Sequence, residues 1–310
     1  MQTTAASLAQ FVTTQDALSR LDDRVGRHTD RDGWAVQRIL QDACDAYWVS
    51  GQIIDAHDLT LHQSGSAQSL SDPVLLAAQY RTRLHHQFLQ GSATRSLPPE
   101  ELLRIFGRRA KAPENDLTLY DPDEDRLTPI VSFCEAWAQT QGEAPLVRVL
   151  DGFRSWISLG VFSHALAADA LLLAERLAVS ARLIRHAPLA AATGARAVKW
   201  RPSLYAVPSD FDEQFLGAAE ASARAGMLLL DAHDLWRERA GRFLQNRRSS
   251  SHAADILDLV AMKGVVSARS VEETTGLTVQ TVARHCNAMV DAGILREITG
   301  QKHFRIWGRA

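Results

Sequence analysis

The chain has 310 residues, of which 46% are hydrophobic, and its formal net charge at pH 7 is −2. This apolar share is ordinary for a globular protein and is ample for a core. The near-neutral charge excludes a protein that coats nucleic acid over its whole surface, so any such binding must come from a local patch. The length allows one large domain or two of unequal size.

The cysteines and the N-terminus indicate where the protein works. Cys44, Cys134 and Cys286 stand far apart and match no zinc or disulfide framework, which favours a reduced chain. Residues 1–15 lack the basic start and apolar run of a secretory signal. The longest apolar stretches reach about half a membrane span. We therefore expect a soluble cytoplasmic protein that makes no contact with a membrane.

Before residue 249 the periodicity of apolar residues is helical, and the strand signal is negligible. We predict a mainly α fold, with a multi-helical domain over residues 1–246 that serves for dimerisation or sensing. Loops are expected over residues 111–129 and 193–210. The predicted helices cover residues 5–21, 33–47, 55–61, 72–90, 98–106, 127–141, 145–164, 165–186 and 212–244. The last of these segments can be one long helix or two helices in line.

Residues 249–310 have the pattern of a small winged helix-turn-helix domain. A first helix is predicted over residues 252–262, and a brief extended stretch follows at Val265 and Val266. Ser267 can cap a second helix over residues 268–275, and Gly276 can supply the positive φ that ends it. Thr278 can cap a third helix that closes at Gly293. Two short strands around Gly300 then predict a β-hairpin wing.

The third helix has an apolar stripe and an opposite polar face. The stripe consists of Val279, Val282, Cys286, Met289 and Val290, and the polar face carries Gln280, Thr281, Arg284, His285 and Asn287. Such short or forked donors suit phosphate oxygens and base edges in a major groove. The candidate DNA-binding residues are therefore Thr278, Gln280, Thr281, Arg284, His285, Lys302 and Arg305.

Positive charge is expected along the wing, from Lys302, Arg305 and Arg309. Phe304 and Ile306 are predicted to face inward, with Arg305 and Trp307 on the other side. Residues 247–310 hold nine Lys/Arg and six Asp/Glu, a net charge of +3, whereas the preceding residues carry −5. The sign of this asymmetry is right for a nucleic-acid module. Five arginines at the end of the long helix and just after it could bind phosphate or could be its solvated end: Arg237, Arg239, Arg242, Arg247 and Arg248.

The sequence contains few signatures of catalysis. The chain contains no Gly-rich phosphate loop, no His-Glu-x-x-His and no Gly-x-Ser-x-Gly, and its eleven histidines do not pair at metal spacing. We expect no metal site, no cofactor and no enzymatic activity.

Three C-terminal stretches resemble a family of bacterial, often plasmid-borne proteins of unassigned function. They are Arg248-Ser-Ser-Ser-His, Leu295-Arg-Glu-Ile-Thr-Gly300 and Phe304-Arg-Ile-Trp-Gly308. The resemblance implies a helical domain followed by a helix-turn-helix DNA-binding domain. The same architecture is similar to Fic-family proteins, whose helical core is often followed by a winged helix.

Two segments of the predicted helical domain can be compared with sequence motifs of the Fic family. Residues 42–59 are similar in spacing to the Fic inhibitory segment, with Ser50-Gly51 where that family has Glu-Gly. The Fic catalytic motif is His-Pro-Phe-x-x-Gly-Asn-Gly-Arg, and its nearest counterpart, residues 164–172, keeps only His164. Without the glycines there is no phosphate cradle for a histidine base to act on. The resemblance therefore implies a degenerate Fic-like, non-catalytic scaffold.

Taken together, these patterns predict a DNA-binding transcriptional regulator that reads double-stranded operator DNA as a homodimer and responds to an unknown small-molecule effector. One alternative is a degenerate nucleotide-transfer protein whose His164, or whose Trp200-Arg201 loop, still binds a ligand. Another is an antitoxin-like adaptor that uses the wing for contact with a protein.

Overall fold

In the computed structural model the chain is mainly helical, and the described residues are 5–63, 78, 81–83, 96–106, 124–160, 167–203, 206–245, 252–300 and 305–310. Within these residues the body contains nine helices of seven residues or more, and Ala78 and residues 81–83 are helical as well. The nine are α1 (Ala5–Arg27), α2 (Arg31–Val49), α3 (Ala56–Gln63), α4 (Pro99–Phe106), α5 (Glu124–Gln139), α6 (Pro145–Ser158), α7 (Ala167–Ser180), α8 (Ala191–Ala197) and α9 (Phe211–Gln245).

The long helix α9 organises the body. Its buried face packs against α1 and α8, and Gly194 of α8 lies so close that a Cβ there would be 1.9 Å from the carbonyl oxygen of Ala218. Phe211 and Phe215 join Phe153 and Trp200 in an aromatic cluster at the start of α9. Residues 212–244, predicted as one long helix or as two in line, therefore form a single helix, and tertiary packing stabilises its length.

The prediction of helix up to residue 186 is wrong, because α7 ends at Ser180. Carboxylates hold the segment that follows in an irregular conformation. Asp22 accepts from the backbone N–H groups of residues 185–187 at 2.6–2.9 Å. Buried Glu175 accepts from those of Leu189 and Ala190, at 2.9 Å each. These hydrogen bonds satisfy backbone donors that a helix would otherwise use internally. The chain then forms α8, where the sequence predicted a loop.

The C-terminal unit, residues 252–310, has the order helix, strand, helix, helix, strand, strand. Its elements are α10 (Ala253–Lys263), β1 (Val265–Ser267), α11 (Ala268–Thr275), α12 (Val279–Asp291), β2 (Leu295–Glu297) and β3 (Ile306–Arg309). Ser267 caps α11 in a reciprocal capping box with Ser270, and Thr278 caps α12. The helices thus begin where the sequence predicted.

The three strands form one antiparallel sheet in the order β1-β3-β2. Trp307 lies opposite Val266 on one side and opposite Glu297 on the other. Because β3 is the central strand, both Ile306 and Trp307 are buried, although they point to opposite faces. The predicted two-stranded wing is therefore part of a three-stranded sheet, and Trp307, predicted on the side opposite Ile306, is buried as well.

The C-terminal unit is packed firmly against the body. Trp236 and Ala240 near the end of α9 are buried in the same apolar cluster as α10 and α12. The indole Nε1–H of Trp236 donates to the carbonyl of Ile294 at 2.9 Å. Helices α2 and α10 also touch, since a Cβ on Gly33 would lie 1.9 Å from the carbonyl oxygen of Ala261. The long helix therefore contributes to two cores at once.

Candidate nucleic-acid interface

Helix α12 has one buried face and one polar face. Val282, Cys286 and Met289 are completely buried against the rest of the C-terminal unit. On the opposite side Gln280 and Arg284 are exposed, with Thr281 and His285 half-buried between them. This places four predicted site residues on one accessible surface. Val279, predicted to join the apolar stripe, is instead 45% exposed in the first turn of the helix.

Thr278, another of the predicted site residues, lies at the N-terminus of α12. The Oγ1 of Thr278 accepts a hydrogen bond from the backbone N–H of Thr281 at 3.3 Å, and the two hydroxyls lie 3.0 Å apart. Thr278 therefore acts first as an N-cap. The partial positive charge of a helix N-terminus favours an approaching phosphate, so this exposed end is electrostatically suited to a nucleic-acid backbone.

The structure corrects the expected position of Arg305. Sequence patterning placed this side chain free in solvent, but its guanidinium donates to the Oδ1 of Asn287 and pairs with the carboxylate of Glu297, both at 3.0 Å. Arg305 thus connects the hairpin to the polar face of α12. The other predicted wing cation, Lys302, lies outside the described residues.

Arg309 also departs from the prediction, since it points into the contact with the body. Its guanidinium donates to the carbonyl of Ala261 and to the side chains of Gln37 and His233. Burial and the nearby Arg237 lower the pKa of Arg309 to about 10, so it is still protonated at neutral pH. This residue fastens the last strand to α2 and α9 and is not available to DNA.

The arginines at the end of α9 divide between two roles. Arg237 pairs with Asp30 of the body and with Asp258 of the C-terminal unit, so it belongs to the contact between them. Arg242 lies 3.5 Å from Glu238 on its own helix, and Arg239 is exposed. Arg247 and Arg248 lie outside the described residues. The sequence offered no signal for the role of Arg237, because its partners are distant along the chain.

The candidate residues of the body that the structure describes take part in its packing. His164 lies outside the described residues. Asp42, in the segment compared with the Fic inhibitory segment, is buried and accepts from the backbone N–H groups of Ala192 and Thr193. Trp200 is buried in the aromatic cluster, and the guanidinium of Arg201 lies 5.1 Å from the ring centre of Trp48.

The described residues contain no group of three or more His, Cys, Asp or Glu side chains placed to hold a metal ion. Across these same residues, no helix combines the length and the apolar character needed to cross a membrane.

A groove of about 1,400 Å³ lies between the body and the C-terminal unit. Apolar side chains from three helices line much of it: Val36 and Leu40 of α2, Leu229 and Leu235 of α9, and Met262 of α10. Sequence patterning did not predict this groove, because its walls come from segments that are far apart in the chain.

Comparison with known proteins places the chain beside one relative. No model of a known protein family matches it. The chain is similar to y4cF of Sinorhizobium fredii (strain NBRC 101917 / NGR234), which is described as an uncharacterized protein. The two are 24% identical over 368 aligned positions, which cover 94% of this chain and 93% of the relative. The similarity therefore extends over both the helical body and the C-terminal unit.

Proposed function

We propose that the C-terminal unit is a winged helix-turn-helix domain and that the protein is a sequence-specific, DNA-binding transcriptional regulator. The observation that carries the proposal is the two-sided character of α12. Val282, Cys286 and Met289 are completely buried, which turns Gln280, Thr281, Arg284 and His285 toward the opposite, accessible side of the helix. The order of helices and strands matches the arrangement in which a second helix of the motif enters the major groove.

In this proposal each polar residue of α12 has a definite role. Arg284 presents a forked donor that suits the O6 and N7 acceptors of guanine, and Gln280 suits adenine. Thr278 and Thr281 lie at the helix start, where a phosphate is favoured. Arg305 holds Asn287 through a 3.0 Å hydrogen bond and so positions a further amide beside the groove. Lys302 is proposed as a backbone contact on the basis of the sequence.

The same proposal covers the partners and the chemistry of the body. A single recognition helix buries little DNA, so two copies bound to two half-sites are expected to supply the selectivity. The body is proposed to be a non-catalytic scaffold, without a cofactor, that pairs the copies and senses a small molecule. A nucleotide-labelling assay on the intact protein checks the non-catalytic part, because label transfer to any target would contradict it.

The test of DNA binding begins with genomic fragments that the protein retains at physiological salt. On the selected site, Arg284→Ala is expected to weaken binding by about 1–3 kcal/mol, the usual scale for a side chain that reads a base edge. Arg20→Ala is the matched control, because Arg20 is an exposed arginine on α1 whose partner is Asp16. Equal affinity of the parent and Arg284→Ala, or the absence of any retained fragment, would contradict the proposal and favour an adaptor that binds protein.

A further inference from the structure

One face of α9 carries apolar side chains that are open to solvent. Leu228 and Leu235 are 70% and 54% exposed, and Ala232 between them is exposed as well. These residues belong to a line of positions spaced alternately four and three residues apart, which is the spacing of the a and d positions of a coiled coil. We call this line the α9 stripe; it consists of Ala221, Ala225, Leu228, Ala232, Leu235, Arg239 and Arg242.

We propose that the α9 stripe is the interface between two copies of this chain, with the two α9 helices antiparallel about a two-fold axis that passes between Leu228 and Ala232. A two-fold interface must be complementary to itself, since each residue that meets a partner residue is met by its own copy in return. The stripe satisfies this condition in the sizes of its side chains and in its charges.

The sizes are complementary only in the antiparallel arrangement. With the axis between Leu228 and Ala232, Leu228 lies opposite the partner's Ala232, and Leu235 lies opposite the partner's Ala225. Every leucine then fills the space above an alanine, so the helices can approach closely without leaving a cavity. In a parallel pair, equal residues would meet at equal heights, and layers of two leucines would alternate with underfilled layers of two alanines.

The charges that flank the stripe favour the same arrangement. Arg224 and Glu238 have side chains that are 74% and 65% exposed. The antiparallel pair brings Arg224 opposite the partner's Glu238 at both ends of the contact, so opposite charges face one another. Asp231 lies close to the axis and meets its own copy. Arg24 of the same chain neutralises each of these carboxylates, at 2.6 Å.

The groove beside the stripe extends the apolar surface. Leu229 and Leu235 lie on its α9 side, and Val36, Leu40 and Met262 are among the apolar residues that line it elsewhere. A second α9 laid against the stripe would cover these side chains too. From Ala221 to Arg242 the stripe is about 32 Å long, at 1.5 Å per residue, so the pair would make an extended contact. At the far end the aliphatic part of Arg239 can lie over the partner's Ala221.

This inference gives a surface to the pairing of copies in the proposed function, but it depends only on the helical body. It is therefore tested without DNA, so that failure of the dimer and failure of DNA binding are separate results. The full chain is expected to be a dimer by light scattering and by sedimentation equilibrium at micromolar concentration. A chain that stays monomeric up to roughly 100 μM would overturn the proposal, because a biological interface of standard size is stable in that range.

Substitutions on the stripe locate the interface. Leu228→Glu places a charge in the apolar layer and is expected to raise the dimer dissociation constant at least tenfold. Leu8→Glu is the matched control, because Leu8 on α1 is 62% exposed and lies off the stripe. Both positions are on helix surfaces, so circular dichroism and the unfolding midpoint should stay close to those of the parent. A dimer as strong in Leu228→Glu as in Leu8→Glu would overturn the assignment.

Charge reversal tests the predicted pair across the interface. Arg224→Glu alone and Glu238→Arg alone each bring like charges together and should weaken the dimer. The double variant should recover most of that loss, because the opposite charges again face one another. No recovery in the double variant would contradict the antiparallel register.

Cross-linking tests the direction of the helices. The three natural cysteines are all buried, so an introduced surface cysteine dominates the reaction. Asp231→Cys is near the axis and is expected to be joined to its copy by a short thiol cross-linker. Arg242→Cys is expected to remain unlinked, because the two copies would lie about 35 Å apart along the helices. Linking of Arg242→Cys, or a failure of Asp231→Cys to link in a dimeric sample, would refute this geometry.

Discussion

Acidification is expected to destabilise the protein through His233, which lies at the contact between α9 and the C-terminal unit. This side chain is buried, its Nδ1 lies 2.6 Å from a nitrogen of Arg309, and its Nε2 lies 3.3 Å from the carboxylate of Asp30. A neutral ring protonated on Nε2 satisfies both contacts, since it accepts from Arg309 and donates to Asp30. Adding a second proton would place an N–H against the guanidinium.

The size of the effect follows from the pKa of His233, which falls from 6.5 to about 4. Burial is the main cause, the charge of Arg309 adds to it, and the hydrogen bond with Asp30 opposes it. As the pH falls below 6.5, the unfolded chain binds a proton that the folded chain does not. The stabilising effect is therefore complete above pH 6.5 and is lost as the pH falls through about 4. By pH 4.5 the loss is about 2–3 kcal/mol.

The measurement is the free energy of unfolding in urea between pH 7.5 and pH 4.5, followed by circular dichroism. His233→Gln is the control, because its amide can accept from Arg309 and donate to Asp30 but does not titrate. Groups remote from this contact titrate equally in both proteins, so the difference between the two pH profiles reports on His233 and the groups that it touches. A parent and a variant that lose the same stability within 0.5 kcal/mol would refute the neutral, buried state, since this is about the scatter expected of unrelated sites.

Two further substitutions test the packing of the C-terminal unit, each measured by urea unfolding. Gly33→Ala puts a methyl group 1.9 Å from the carbonyl oxygen of Ala261 and should lower the free energy of unfolding by about 2 kcal/mol or more. Gly241→Ala, whose methyl group meets nothing within 4 Å, should raise it by up to about 1 kcal/mol. Equal effects at the two glycines would contradict the close contact of α2 and α10. Trp236→Phe keeps most of the buried ring but removes one of two donors to the Ile294 carbonyl, which also accepts from the backbone N–H of Ala310 at 3.2 Å. A loss of about 0.5–1.5 kcal/mol is expected, and an unchanged unfolding free energy would show that the Trp236 hydrogen bond is not formed.

Much of the C-terminal unit was predictable because its signals are local. Ser267 and Thr278 cap helices through bonds to residues three positions ahead, so their effect is present in the sequence alone. The stripe of Val282, Cys286 and Met289 likewise selects the buried face of α12, and with it the outward face of Arg284. The predominance of helix in the body followed from the same periodicity.

Other features depend on residues far apart in the chain. Arg305 and Arg309 look alike in sequence, as cations on a short strand, yet one binds Asn287 and the other is buried against Gln37 and His233. Their environments differ because Arg305, just before β3, meets α12, whereas Arg309, at the end of β3, meets α2 and α9. The end of α7 at Ser180 was similarly decided by distant carboxylates.

Helix α9 shows most clearly which features the sequence determines and which the tertiary structure determines. By itself the sequence determined that residues 212–244 are helical, as one helix or two in line, because helical propensity and periodicity are properties of the segment. That helix has apolar residues on several faces, and only the tertiary structure decided which of them are covered. The body covers Leu230 and the C-terminal unit covers Trp236, while Leu228 and Leu235 remain exposed. Burial is a property of what packs against a face, and a helix does not carry that information in its own residues.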